Sequence, residues 1–378
     1  MALRVSPRLG AIPRYVPGMS TAEALARHGV EDAVKLSSNE SPFGPLPGVE
    51  EAVAGVAAGL NRYPDGRAGA LRARIADLHG VGDDQVIVGN GSGEIILMAG
   101  QALLDPGTTV VYPDPSFALY PHIAHAAGAE GVAVPLDRAG RNDLAAMAAY
   151  VDERTRLVVV CSPNNPTGGY VPAAAVERLL DEIPSDVGVL VDEAYHDFVS
   201  EVDRGRVMSM ARERPNLLVT RTFSKAFGLS GARVGYGAGS PRWVDAIDRV
   251  RPPFHVGAAG QAAALAALGA LTELDARVRT LTAERGRVQD ALRDAGVAFT
   301  PSQANFILVG PFAPDAFAAP VHEELLRRGV IVRDGDALGA PGCIRVTVGT
   351  AQDNDRFLHA LAAARGARQL QDNPRAAV

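Results

Sequence analysis

The chain contains almost no lysine. Its 378 residues include 37 lysines and arginines, of which only Lys35 and Lys225 are lysines. Arginine stays charged in proteins and is a poor nucleophile, whereas a lysine amine can deprotonate and form an imine with a carbonyl. Because Lys225 lies in the serine-, threonine- and glycine-containing segment RTFSKAFG (221–228), it suggests covalent amine chemistry. A surface lysine that arose by chance is the alternative.

Cysteine and histidine are also scarce, with 2 and 8 residues. Cys161 and Cys343 are too few for a disulfide framework, and neither has the spacing of a metal-binding pair. His122 and His125 lie three residues apart on a predicted helix, but no third ligand is evident near them in the sequence. Solvated histidines are the simpler interpretation, and we predict no metal site.

Long apolar runs are missing as well. The longest apolar stretch, around 258–271, is rich in alanine and interrupted by glycine and glutamine, which favours a buried helix over a membrane span. The first residues, MALRVSPR, lack the hydrophobic core of a secretion signal. A net charge of −6 without any block of basic residues argues against nucleic acid as a partner. We expect a cytoplasmic protein that binds neither membrane nor nucleic acid.

From about residue 85, short apolar runs alternate with amphipathic stretches. The runs predicted to be buried strands are 85–89, 109–112, 131–134, 157–161, 188–191 and 216–219. The stretches predicted to be helices are 93–104, 116–127, 142–150 and 172–182. This alternation predicts an α/β fold with a mainly parallel sheet flanked by helices.

The pattern changes after Pro252 and Pro253. A long helix is predicted at 258–295, followed by strands at 305–309, 329–332 and 343–348 and by helices at 315–328 and 353–365, typical of a smaller α+β domain. Residues 1–45 are rich in proline, serine and glycine. We therefore divide the chain into an N-terminal arm that packs with the small domain (1–45), a large domain (46–257), a small domain (258–368) and a disordered tail (369–378).

Four polar segments fall where predicted strands end, and open parallel sheets place their ligands at such ends. They are VGNGSGE (88–94), SPNNPTG (162–168), VDEAY (191–195) and the lysine segment, with Arg233 eight residues beyond Lys225. The glycine-rich segment offers free amides and a helix N-terminus for a phosphate, although a simple tight turn explains it equally well. An acid at a strand end also occurs in P-loop ATPases, but this chain has no GxxxxGK[ST] motif.

Taken together, these segments supply the set of groups that pyridoxal phosphate needs. They contain a lysine for an imine, a carboxylate, a phosphate-binding turn with an arginine, and neutral donors from asparagine and tyrosine.

The order and spacing of the segments resemble those of fold-type I pyridoxal-phosphate-dependent aminotransferases. They are most similar to the histidinol-phosphate aminotransferase family, including its aromatic amino acid aminotransferase branch, over nearly the whole chain. The matching segments are KLSSNE (35–40), NRYPD (61–65), 89–94, 162–168, 192–195, 222–235 and RVTVG (345–349). The resemblance implies an aspartate aminotransferase-like fold and pyridoxal 5'-phosphate as the cofactor.

The resemblance also implies a role for each residue on the cofactor side. Lys225 would hold the cofactor as a Schiff base and then move a proton, while Asp192 would lie against the pyridine nitrogen. Asn165 and Tyr195 would hydrogen-bond the phenolic oxygen of the cofactor. The remaining implied contacts are the stacking ring of Phe117 and the phosphate ligands Gly91, Ser92, Thr222, Ser224 and Arg233.

On the substrate side, the resemblance implies that Arg345 binds the α-carboxylate or, for histidinol phosphate, the substrate phosphate. Tyr63 would reach the cofactor phosphate of a neighbouring subunit, so a homodimer is implied. The other substrate candidates are Tyr15, Asn39, Tyr120, Asn165, Phe254 and Arg333. A surface salt bridge is the alternative role for Arg333.

Phe254 and four segments carry the expectation about substrate. The segments RYVPG (14–18), GPLP (44–47), QAAAL (261–265) and SQAN (302–305) look more like the aromatic branch. Histidinol-phosphate enzymes commonly have tyrosine at the place of Phe254, and losing that hydroxyl removes a potential hydrogen bond to a phosphorylated substrate, at a cost of about 1.5–3 kcal/mol. We therefore expect ping-pong amino transfer between an aromatic amino acid and 2-oxoglutarate, with histidinol phosphate as the alternative donor. A decarboxylase on the same scaffold remains open. A nicotinamide dehydrogenase would need a Rossmann fingerprint on an early strand, and a transcription regulator would need a basic helix-turn-helix extension. This chain shows neither motif.

Overall fold

A computed structural model describes residues 3–12, 14, 18–30, 32–312 and 318–372. The helices are α1 Thr21–His28, α2 Val49–Ala57, α3 Gly69–His79, α4 Ser92–Leu103, α5 Leu119–Ala127, α6 Leu144–Ala149, α7 Ala173–Glu182, α8 Arg206–Met210, α9 Pro241–Val250, α10 Ala258–Ala267, α11 Leu271–Asp294, α12 Ala318–Arg327 and α13 Ala351–Asp372. The strands are β1 Val34–Lys35, β2 Val86–Gly89, β3 Thr109–Asp114, β4 Glu130–Pro135, β5 Thr155–Cys161, β6 Gly188–Asp192, β7 Leu217–Thr222, β8 Gly235–Gly239, β9 Phe299–Thr300, β10 Phe306–Val309, β11 Val330–Ile331, β12 Arg333–Asp334 and β13 Ile344–Thr347.

A seven-stranded sheet with the order β2-β8-β7-β6-β5-β3-β4 forms the largest layer. Its strands pair in parallel except β8, which runs antiparallel to both of its neighbours. The central strands bury both faces: Val158 and Val160 of β5 belong to one apolar cluster, and Leu157 and Val159 to another. Helices cover both faces, as continuous apolar strands require. The expected α/β fold with a mainly parallel sheet is confirmed.

Two smaller sheets lie in the later part of the chain. Strands β12-β13-β10-β9 form an antiparallel sheet, and β1 from the N-terminal region pairs in parallel with β11. The pairing of β1 carries residues 36–40 towards β13, where the amide of Thr347 donates to the carbonyl of Leu36. The domain limits at 45/46 and 257/258 stay predictions.

Two expected elements differ in the structure. The single helix expected at 258–295 is two helices, α10 and α11, with the flexible Gly269 in the break between them. The tail expected from residue 369 begins as the last turn of α13, which continues to Asp372. Among the described residues, no helix combines the length and the apolar character that a membrane crossing demands.

Candidate active site

Lys225 lies just beyond β7, in a cleft over which residues 37–39 pass. Its Nζ donates to the carbonyl of Ser38 at 3.2 Å and lies 5.8 Å from the centre of the Tyr195 ring. Burial, followed by the positive charge of Arg345, lowers the pKa of Lys225 to about 8. A lysine whose pKa is lowered to near neutrality is the activated form of this nucleophile.

Asp192 is the last residue of β6 and is almost completely buried. Its Oδ2 accepts from the Tyr120 hydroxyl at 2.9 Å, and its Oδ1 accepts from Thr220 Oγ1 at 3.3 Å. Burial raises the pKa of Asp192 to about 6 even though these hydrogen bonds lower it. A cation placed opposite would favour the ionised form, and the protonated pyridine nitrogen of pyridoxal phosphate is such a cation.

Two hydrogen-bonded pairs lie near Lys225, Asn39 with Tyr195 and Arg345 with Asn165. Asn39 Nδ2 donates to the Tyr195 hydroxyl at 3.0 Å, and Arg345 Nη1 donates to Asn165 Oδ1 at 2.6 Å. Arg345 Nη2 also donates to the carbonyl of Ser37 at 2.9 Å. The N-terminal segment, the large sheet and β13 therefore meet at one place.

The predicted phosphate ligands also lie together. Arg233 Nη1 donates to Ser224 Oγ at 3.2 Å, and the Ser224 amide donates to Thr222 Oγ1 at 3.1 Å. A Cβ built on Gly91 would lie only 2.6 Å from Arg233 Nη2, and one built on Gly235 would collide with the Ser92 amide nitrogen. Glycine at both positions keeps the start of α4 open to the guanidinium.

We call this group of five residues, Gly91, Ser92, Thr222, Ser224 and Arg233, the phosphate cradle. It combines a helix N-terminus, two hydroxyls and an arginine, which are the donors a phosphate dianion prefers. Together with the buried carboxylate of Asp192 and the amine of Lys225, these residues fit pyridoxal 5'-phosphate.

Backbone strain marks the same region. The described residues include four non-glycine residues with positive φ, and three of them, Asn39, Arg233 and Phe254, were predicted site residues. This conformation is costly for residues with a side chain and concentrates at functional sites.

Two predicted substrate residues have different surroundings from those expected. Tyr120 is fully buried, and its hydroxyl contacts Asp192, so it supports the cofactor side and is not open to a substrate. Phe117 packs edge-on against Tyr120, with ring centres 5.8 Å apart.

Phe254 is 44% exposed and stacks on Tyr63, itself 80% exposed, at a centre-to-centre distance of 4.4 Å. Tyr15 lies outside the described residues.

Arg333 lies on β12 directly opposite Arg345 of β13. Gly18 lies close to both the Arg333 guanidinium and Ser37. A Cβ atom built on Gly18 would lie 3.5 Å from Arg333 Nη1 and 3.4 Å from Ser37 Oγ. The Arg333 guanidinium is therefore close to the segment 37–39, which contacts Lys225 and Arg345. Ser37 and Ser38 act through backbone carbonyls, so their side chains gave no signal in the sequence. Thr220, which donates to Asp192, was not predicted as a site residue. It lies inside strand β7, where nothing in the sequence distinguishes it from other strand residues.

Comparison with known proteins places this site in a family. The family model described as aminotransferase class I and II matches residues 31–361. Histidinol-phosphate aminotransferases from Geobacillus thermodenitrificans and Rubrobacter xylanophilus are 41% and 42% identical to this chain. The alignments cover 95% of this chain and 97% and 100% of those proteins. A crystal structure of histidinol-phosphate aminotransferase from Sinorhizobium meliloti with pyridoxal-5'-phosphate superimposes with a TM-score of 0.86 at 27% identity, over 96% of this chain and 98% of that one.

The fold and the cleft are those of a fold-type I pyridoxal-phosphate enzyme. The chain belongs to the class I and II aminotransferase family, and it is a pyridoxal-phosphate-dependent transaminase.

The prediction of an aromatic amino acid as substrate is wrong. The relatives at 41–42% identity, aligned over nearly their whole length, are named histidinol-phosphate aminotransferases. That prediction rested on the hydroxyl that Phe254 lacks and on four short segments, and the near-full-length similarity to histidinol-phosphate aminotransferases outweighs them.

Proposed function

We propose that the enzyme transfers an amino group reversibly between histidinol phosphate and 2-oxoglutarate. The observation that carries this proposal is the pairing of Arg333 with Arg345 on neighbouring antiparallel strands, beside the segment that contacts Lys225. The near-full-length similarity to proteins named histidinol-phosphate aminotransferases supports it as well.

The two arginines suit a phosphate for an electrostatic reason. Directly opposed residues of antiparallel strands project to the same face, and like charges there are destabilising. Arg345 is only 6% exposed, so little water screens its charge. A dianionic phosphate beside the two guanidinium groups would be attracted by both positive charges. A phenylalanine side chain offers no such group.

The residues around Lys225 would each have a separate role in the reaction. When bound, the cofactor would supply a carbon that bonds to amines and a ring that accepts electrons. Lys225 Nζ would hold the cofactor and carry the proton that leaves the substrate Cα. Asp192, fixed by Tyr120 and Thr220, would keep the pyridine nitrogen protonated. Asn39 orients the Tyr195 hydroxyl.

A donor comparison tests the proposal. The protein loaded with pyridoxal phosphate is mixed separately with histidinol phosphate and with phenylalanine, without any keto acid, and the visible absorption band of the bound cofactor is followed. Loss of the band with histidinol phosphate and retention with phenylalanine are expected. Loss of the band with phenylalanine alone would contradict the proposal.

We also propose a homodimer in which Tyr63 reaches the neighbouring cofactor site, and a cytoplasmic location. The exposed Tyr63–Phe254 stack supports the dimer, because large apolar surfaces left open to water are typical of interfaces. Lys225→Ala and Tyr63→Ala proteins, unfolded and refolded together, should regain about one quarter of the wild-type activity, since each mixed dimer would hold one intact site. Activity equal to the sum of the separate variants would contradict the shared site.

A further inference from the structure

A pair of titratable side chains outside the cofactor contacts joins two segments at the phosphate cradle. Glu94 lies in the first turn of α4, two residues after Ser92. Its Oε2 accepts from the Asn90 amide at 2.6 Å and lies 2.5 Å from His255 Nδ1. Asn90 Nδ2 donates in return to the His255 carbonyl at 3.0 Å. These bonds enclose Gly91 and Ser92, whose amides belong to the cradle.

The pair is protected from solvent, since the side chain of His255 is 7% exposed and that of Glu94 is 20% exposed. Although burial acts to raise it, the pKa of Glu94 is lowered overall by the hydrogen bonds from His255 and Asn90. Glu94 is therefore a carboxylate at the helix end where the cofactor phosphate would bind. A negative charge there stabilises the helix but repels a phosphate, so the hydrogen bonds that fix the Glu94 carboxylate also decide how close it lies to the cradle.

We propose that Glu94 and His255 are positioning residues that hold the amides of Gly91 and Ser92 in the geometry the cofactor phosphate requires. This inference rests on the placement of that phosphate in the cradle. His255 also follows Phe254, which stacks on Tyr63. The pair thus ties the cradle to the segment at 252–256, whose first three residues are exposed.

The test compares two ligands that differ only in the phosphate. Equilibrium dissociation constants of pyridoxal phosphate and of pyridoxal are measured with the apoprotein by fluorescence. Glu94→Gln and His255→Asn should each weaken pyridoxal phosphate by about tenfold, the effect of one charge-assisted hydrogen bond. Their affinity for pyridoxal should change less than about twofold, since pyridoxal makes no phosphate contact.

Glu273→Gln is the matched control. Glu273 is likewise an acid in the first turn of a helix, α11, and it pairs with Arg277 at 2.8 Å. This variant should leave both affinities unchanged. The double variant of Glu94 and His255 should bind pyridoxal phosphate no more weakly than the worse single variant, because the two residues act through one contact.

Arg233→Gln separates failure of the pair from failure of the phosphate placement. If this variant weakens pyridoxal phosphate while Glu94→Gln and His255→Asn do not, the inference about the pair is overturned and the cradle stands. If Arg233→Gln has no effect, the phosphate lies elsewhere and both are overturned. Equal losses for pyridoxal and pyridoxal phosphate would show a general structural role and would also overturn the inference.

Discussion

The cofactor end and the substrate end of the cleft are assembled differently. Asp192, Thr222 and Lys225 come from the ends of two neighbouring strands, β6 and β7, of one sheet. Arg333 and Arg345, in contrast, belong to a second sheet, and Arg345 contacts Ser37, 308 residues earlier in the chain. The chemistry at strand ends is therefore local in sequence, whereas the substrate end depends on how distant segments meet.

Removing Lys225 should have the largest effect. Lys225→Ala should abolish the visible absorption band of the bound cofactor and lower kcat by about 10⁴-fold or more, because both the covalent link and the proton carrier are lost. The other lysine offers a control: Lys35 pairs with Glu40 at 2.9 Å, and Lys35→Ala should keep the band. Normal turnover by Lys225→Ala would refute the assignment of the cofactor end.

Removing the Tyr120 hydroxyl should have an intermediate effect on the cofactor end alone. Tyr120→Phe deletes one of the donors to buried Asp192, and a lost hydrogen bond to a charged group should lower kcat by roughly tenfold or more. The KM ratio of histidinol phosphate to 2-oxoglutarate should not change. Tyr150→Phe, at a tyrosine that is 55% exposed, is the control. A selective change in substrate KM would show that Tyr120 contacts substrate after all.

The pH dependence of cofactor association should report the environment of Lys225. Only the neutral amine attacks an aldehyde, and the pKa of Lys225 is lowered to about 8. The association rate constant should therefore rise about tenfold per pH unit below 8 and level off above it. Nα-acetyl-lysine in solution, with an ordinary lysine pKa, should continue to accelerate to about pH 10. A profile for the enzyme that matches this free amine would contradict a lowered pKa.

The smallest effect is expected at Phe254. Because Phe254→Tyr keeps the aromatic ring that stacks on Tyr63, it should change the kcat/KM ratio of histidinol phosphate to phenylalanine by less than about twofold. A tenfold gain for histidinol phosphate would return Phe254 to the substrate site.

These residues also show which parts were predictable from the sequence. The parallel sheet was predictable from its buried strands, and the polar segments that hold Asp192 and Lys225 were evident because each follows such a strand. The residues of the cradle were assigned only through the resemblance to a family. The support from Ser37 and Ser38 was not evident, since it comes from backbone carbonyls that any residue possesses. Tyr120 was predicted as a substrate residue, whereas its hydroxyl donates to Asp192; a sequence does not reveal which way a helical side chain points.

The specificity of the substrate end can be tested most directly by removing the substrate phosphate. Single-turnover rates with histidinol phosphate and with histidinol are measured for the wild type, for Arg333→Met and for a control, Arg249→Met, at an exposed arginine paired with Asp245. We expect the wild type and the control to prefer histidinol phosphate by about 100-fold, and Arg333→Met to lose at least about tenfold of that preference. An unchanged preference in Arg333→Met would contradict the assignment of the two arginines to the substrate phosphate.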